Sequence, residues 1–143
     1  MINNFNIYSK KLRDSGLRPT KQRLKICEVL FNREKTFHFT INDLAKSISE
    51  QLNEKISLAT VYNTIHAFKD KGYLKEISIN SDKSYFDTNI SNHHHFFDED
   101  TNQLIDCGEE DIDKINIKKN ITEKKIKSIE VLIKVASDNQ NQN

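Results

Sequence analysis

The most constraining feature of this chain is a change of hydrophobic period at Gly72. Before that residue apolar side chains recur at spacings of three and four; after it they alternate. Residues 5–15 read as a short amphipathic helix ended by Gly16. Pro19 and Thr20 open a second helix, with Leu24, Cys27, Val29, Leu30 and Phe31 at its apolar positions. Thr40, with Asp43 three residues on, forms an N-cap and a weak capping box. The helix it starts carries Ile41, Leu44, Ala45, Ile48 and Leu52. Ser57 caps a further helix, with Leu58, Val61, Tyr62, Ile65 and Phe68 at inward positions. Gly72 stands where a left-handed C-cap belongs. The alternating segment Leu74 to Ile79, the turn residues Asn80 to Lys83 and a return strand from Tyr85 to Thr88 then form a hairpin. The last three of these helices followed by the hairpin make a winged helix-turn-helix, with the helix of residues 57–71 as the recognition helix.

The second half reads differently. His93 to Phe97 and Gln103 to Cys107 are expected as strands around a tight acidic turn, Asp98 to Asn102. Residues 109–122 carry no clear period. Residues 126–135 alternate and predict one longer strand. So small a unit has too few apolar residues to stand alone, and a second copy is its natural completion. The fold class is therefore α+β: a winged-helix DNA-binding domain over residues 1–88 and a small α/β dimerisation domain over 89–136. A disordered polar tail is expected over 137–143.

The net charge of +1 conceals an asymmetry. Residues 1–84 hold 15 Lys and Arg against 9 Asp and Glu, whereas residues 85–143 hold 7 against 12. A basic half fits an anionic polymer such as nucleic acid, or a chain in which Lys is the default surface residue. No apolar run is long enough for a membrane span, and residues 1–10 lack the pattern of a secretory signal. Cys27 and Cys107 are the only cysteines, too few for a disulfide framework or a four-cysteine zinc site. Both read as buried thiols. These features point to a cytoplasmic protein. With three glycines there is no phosphate-binding loop, and no nucleophile elbow occurs. An enzyme is not expected.

Three histidines stand in a row, His93, His94 and His95. On a strand His93 and His95 share one face and His94 takes the other. Two imidazoles need further ligands, and Asp87 and Asp106 are nearby carboxylates. Such a set suits Fe(II), Mn(II) or Zn(II). The alternative is a solvated His-rich turn. His66 reads as a residue of the exposed side of the recognition helix, a phosphate contact or an ordinary surface residue.

The ordered set Gly16-Leu-Arg-Pro-Thr-Lys-Gln-Arg23, His38-x-Thr-x-x-Asp-Leu44, Leu58-Ala-Thr-Val-Tyr-Asn63 and the His cluster resembles the ferric uptake regulator family. The resemblance covers residues 10 to about 135. Residues Thr60 to Phe68 and His93 to Phe97 are most similar to its iron response regulator branch. The resemblance implies a homodimeric repressor of iron or heme homeostasis that binds AT-rich operators in double-stranded DNA. It puts Arg18, Lys21, Ser57, Thr60, Tyr62 and Asn63 at the DNA. It puts a divalent metal on His38, Asp87, His93, His95 and Asp106, coupling hinge closure to DNA binding. Asn63 replaces the Arg usual in the iron-uptake branch and is suited to adenine. The branch further implies heme, with His94 and His95 as axial candidates, although its Cys-Pro heme motif is missing. The family's structural zinc site, built on two CxxC motifs, is absent. Its second metal site meets Lys127 or Ser128 where a His is expected. A peroxide-sensing member of the same superfamily is the alternative, since Asp at the last ligand position, here Asp106, is its marker.

Overall fold

A computed structural model describes residues 4–138. It divides into two compact units, the first ending at Ile90 and the second beginning at Ser91. The first unit combines four helices with a small sheet, in the order α1 (Phe5–Asp14), α2 (Lys21–Phe31), β1 (His38–Phe39), α3 (Ile41–Leu52), α4 (Leu58–Asp70), β2 (Lys75–Asn80) and β3 (Lys83–Asp87).

The expected caps set the helix starts. The hydroxyls of Thr20, Thr40 and Ser57 accept the amides of Arg23, Asp43 and Thr60 at 3.1–3.3 Å. Each satisfies one of the amides that a helix start leaves unpaired. At the other end of α4, Gly72 takes φ +82°, a left-handed value that an added side chain would strain. The core joins Leu12 of α1, Ile26, Cys27 and Leu30 of α2, Leu44 and Ile48 of α3, and Val61, Ile65 and Phe68 of α4. Burial pushes the Cys27 thiol up to about 12, so it is an inert core residue. Leu58 and Tyr62, expected inward, face solvent instead. The buried stripe of α4 runs through Val61, Thr64, Ile65 and Phe68, which leaves positions 58 and 62 on the opposite edge.

The sheet of this unit has the order β1-β3-β2, all antiparallel. Strand β1 was not visible in the sequence: two residues carry no period. It pairs His38 with Asp87 and Phe39 with Phe86.

The second unit has β4 (His94–Asp98), β5 (Gln103–Cys107), a 3-10 turn at Glu109–Asp111 and β6 (Leu132–Val135), in the order β5-β4-β6. Strand β5 runs antiparallel to β4 and β6 parallel to it. The longer strand expected over 126–135 shrinks to four residues. Its partner fixes the length, because β4 pairs it only from His95 to Asp98. Residues 112–131 run without regular structure. Ser137, assigned to a disordered tail, is tied down: its amide and hydroxyl both donate to Asp100. Residues 139–143 of that expected tail lie outside the described residues. No described helix is long and apolar enough to cross a membrane.

Candidate metal centre

Strand β4 and the residue before it supply the imidazoles. The Nδ1 of His93 lies 2.8 Å from the Ser91 carbonyl. A carbonyl only accepts, so Nδ1 carries the proton and the neutral ring keeps its lone pair at Nε2. That atom is 3.5 Å from Oδ1 of Asp106, and the Nε2 of His95 is 3.3 Å from the same oxygen. The two rings lie 4.4 Å apart between centroids. Asp106 is there because the register pairs it with His95 across β4 and β5. Cross-strand partners share a face, so the pleat puts the three side chains together.

One potential ligand atom from each of His93, His95 and Asp106 lies within 4.8 Å of the others. Two acceptors facing one another are stable only with a proton or a cation between them. First-row metals bind nitrogen and oxygen at about 2.0–2.2 Å, which separates neighbouring ligand atoms by about 3.0–3.5 Å. The 3.3 and 3.5 Å contacts fall in that range. His95 is buried, with 5% of its surface exposed, while Asp106 remains open to solvent. A buried, oriented nitrogen beside an accessible carboxylate is a workable entry for a cation. Cys107, adjacent to Asp106, is buried; burial, then the charges of Asp111 and Glu110, push its thiol up. That suits a packed thiol rather than a thiolate ligand.

In the first unit, His38 and Asp87 are register partners between β1 and β3. Asp87 is fully buried and accepts the amide of Asn89 at 2.8 Å. Sequence reasoning had placed both residues among the ligands without a strand to pair them.

His94 faces away from the cluster, as alternation requires. Its Nδ1 accepts the amide of Val131 at 3.0 Å. This puts the proton of the neutral ring on Nε2. Binding iron through Nε2 would move that proton to Nδ1 and set two donors against each other. His95 is buried with its Nε2 on Asp106. The pair His94 and His95 therefore does not fit heme.

The DNA-facing residues of the sequence reading fall on the first unit. Arg18 is exposed between α1 and α2, where its carbonyl accepts from Nη1 of Arg23 at 3.0 Å. Lys21 is exposed, 3.6 Å from Glu54. Ser57, Tyr62 and Asn63 are exposed and Thr60 is half-buried. His66, expected on the open surface, is half-buried against Tyr62 and Phe86.

Residues 14–136 match the model of the ferric uptake regulator family. The chain belongs to this family. Its members are transcription regulators, so this ferric uptake regulator family protein is a regulator and not an enzyme. It is similar to the peroxide-responsive repressor PerR of Staphylococcus epidermidis, 33% identical over 104 residues that span 73% of this chain and 67% of the relative. The same repressor of Staphylococcus aureus is 35% identical over 95 residues, 66% of this chain and 62% of its own length. The match thus spans about two thirds of these relatives or slightly less. The fold is similar to the ferric uptake regulator from Pseudomonas aeruginosa, solved with manganese, at a TM-score of 0.63. That comparison covers 92% of this chain and 98% of the other at 20% identity.

Proposed function

We propose that this protein is a dimeric, metal-dependent DNA-binding repressor whose metal centre senses peroxide. The convergence of His93 and His95 on one oxygen of Asp106 carries the reading. His38 and Asp87 are the further ligands in this proposal. They are already paired in one sheet, so a cation held by both would stiffen β1 against β3. The similarity to peroxide-responsive repressors favours this reading over control by iron supply or heme.

Bound Fe(II) would supply the one-electron chemistry that cleaves peroxide. The protein's part is to hold neutral imidazoles with their lone pairs directed at the cation. The Ser91 carbonyl does this for His93 by accepting a hydrogen bond from its Nδ1–H. Oxidation of one such imidazole, at His38 or His93, removes a ligand and with it the ordering that favours the DNA-competent dimer.

DNA contact is assigned to the exposed edge of α4, with Arg18 and Lys21 on phosphate or in the minor groove. Leu58 and Tyr62 present apolar surface suited to thymine methyls, and Asn63 can pair with adenine. An AT-rich site follows from that chemistry.

The test is one titration at fixed salt, because phosphate contacts make affinity salt-dependent. Duplex DNA selected by the Mn(II)-loaded protein from a random pool is bound by the metal-free, Mn(II)-loaded and Fe(II)-loaded forms. Binding should require metal. Peroxide should release DNA from the Fe(II) form only, with one added oxygen on His38 or His93 by mass spectrometry. Release by heme, with no oxidised histidine, would return the protein to the iron-response reading.

A further inference from the structure

The ring of Tyr62 does not project from α4 alone. Its centroid lies 4.0 Å from that of His66, one helical turn on, with the planes tilted by 37°. His66 in turn meets the edge of Phe86 at 5.5 Å and 79°. Phe86 is buried in β3 and stacks on Phe39 of β1 at 6.1 Å. A continuous column of rings, Tyr62–His66–Phe86–Phe39, therefore runs from an exposed residue into the core. Tyr62 is 51% exposed and has rotamer freedom to lose on binding. A ring stacked beneath it removes that freedom in advance. The spacing of four residues is the one that brings helix side chains together.

We propose that His66 is a positioning residue for DNA recognition: it braces Tyr62 in the orientation that meets the base edges. This rests on the assignment of Tyr62 to the DNA contact. The function lies in the flat ring rather than in the imidazole nitrogens. His66 occupies the middle of the column and gives Tyr62 a partner that is itself held by Phe86.

The experiment compares four variants of the full chain, loaded with Mn(II), on a labelled duplex selected by the wild-type protein. His66→Gln keeps the length and helix preference of the side chain but removes the ring. It should weaken binding about three- to tenfold. His66→Phe keeps the ring and should bind within about twofold of wild type. Tyr62→Ala should weaken binding, and Tyr62→Ala with His66→Gln should be no weaker than Tyr62→Ala alone, because the brace has nothing left to hold. Circular dichroism checks that each variant is folded. If His66→Phe binds as poorly as His66→Gln, the imidazole meets DNA itself and the proposal is overturned. If the single losses multiply in the double variant, Tyr62 and His66 act separately and it is overturned as well. Unchanged binding by Tyr62→Ala would instead remove the assignment on which the proposal rests. His66→Phe failing to fold leaves the double variant to decide.

Discussion

Asp106 is the most informative single residue of the centre. It is an exposed carboxylate, 58% accessible in its side chain, yet one of its oxygens faces two imidazole nitrogens. Because that carboxylate is screened by water, its pairing with the two largely buried imidazoles contributes little to folding, about 0–1 kcal/mol. Its effect on metal binding is of another order. Asp106→Ala should therefore leave the melting temperature of the metal-free protein nearly unchanged. It should abolish the stabilisation by Mn(II), which reaches about 2.7 kcal/mol when the free ion is at a hundred times its dissociation constant. Thermal scans with and without Mn(II) check both halves. At Asp100 the argument runs through pH. The hydroxyl, then the amide, of Ser137 hold its carboxyl below the ordinary range. A carboxyl lowered in the folded state contributes stability that is present above its unfolded value and is lost as pH falls through the folded one. The Asp100–Ser137 clasp should thus be closed at neutral pH and open in acid below the ordinary carboxylate range. The Ser137 amide resonance should follow that titration, and Asp100→Asn should abolish it.

At the scale of elements, chemistry local to a few residues was readable and pairing at a distance was not. The caps at Thr20, Thr40 and Ser57 are local, and all three hydroxyls meet the amide three residues on. Ser57→Ala should cost about 0.5–2 kcal/mol, measurable by urea denaturation. Gly72 is equally local: its positive φ ends α4 where the sequence required. The shared face of His93 and His95 followed from strand alternation alone. That Asp106 lies opposite His95, and His38 opposite Asp87, depended on register. Register is set by turn length and by burial on both strands, which no short pattern encodes. The two-residue β1 was illegible for the same reason. Strand β6 was overextended because its alternation outlasts its partner. The hydrogen bond of His94 to the Val131 amide, 37 residues away, is likewise a contact that no short pattern encodes. Tyr62 was judged apolar and hence inward, whereas burial of Val61, Ile65 and Phe68 had already filled the core face.

At the scale of the whole molecule we propose that the second unit packs against a second copy of the chain. This unit is a three-stranded sheet with a long irregular segment between its second and third strands in chain order, too small to bury its own apolar surface. On the face of the sheet opposite His95, the register aligns Ile105 of β5, Phe96 of β4 and Ile133 of β6 side by side. Ile105 is 47% exposed, and Val135 lies exposed on the same strand as Ile133. An apolar stripe across three strands is what a protein leaves uncovered when another surface is to cover it. Regulators of this family are dimeric DNA-binding proteins, and a second copy is the covering surface that symmetry supplies most simply. Ile105→Glu puts a charge at the β5 end of the stripe, on an exposed residue outside the core of either unit. It should shift the protein from dimer to monomer in sedimentation velocity. The metal ligands His93, His95 and Asp106 lie on the other face, so metal affinity per chain should persist. DNA affinity should fall steeply, because one chain reaches only one half-site and the gain from linking two binding events is lost. An Ile105→Glu protein that stayed dimeric and kept its DNA affinity would place the interface elsewhere.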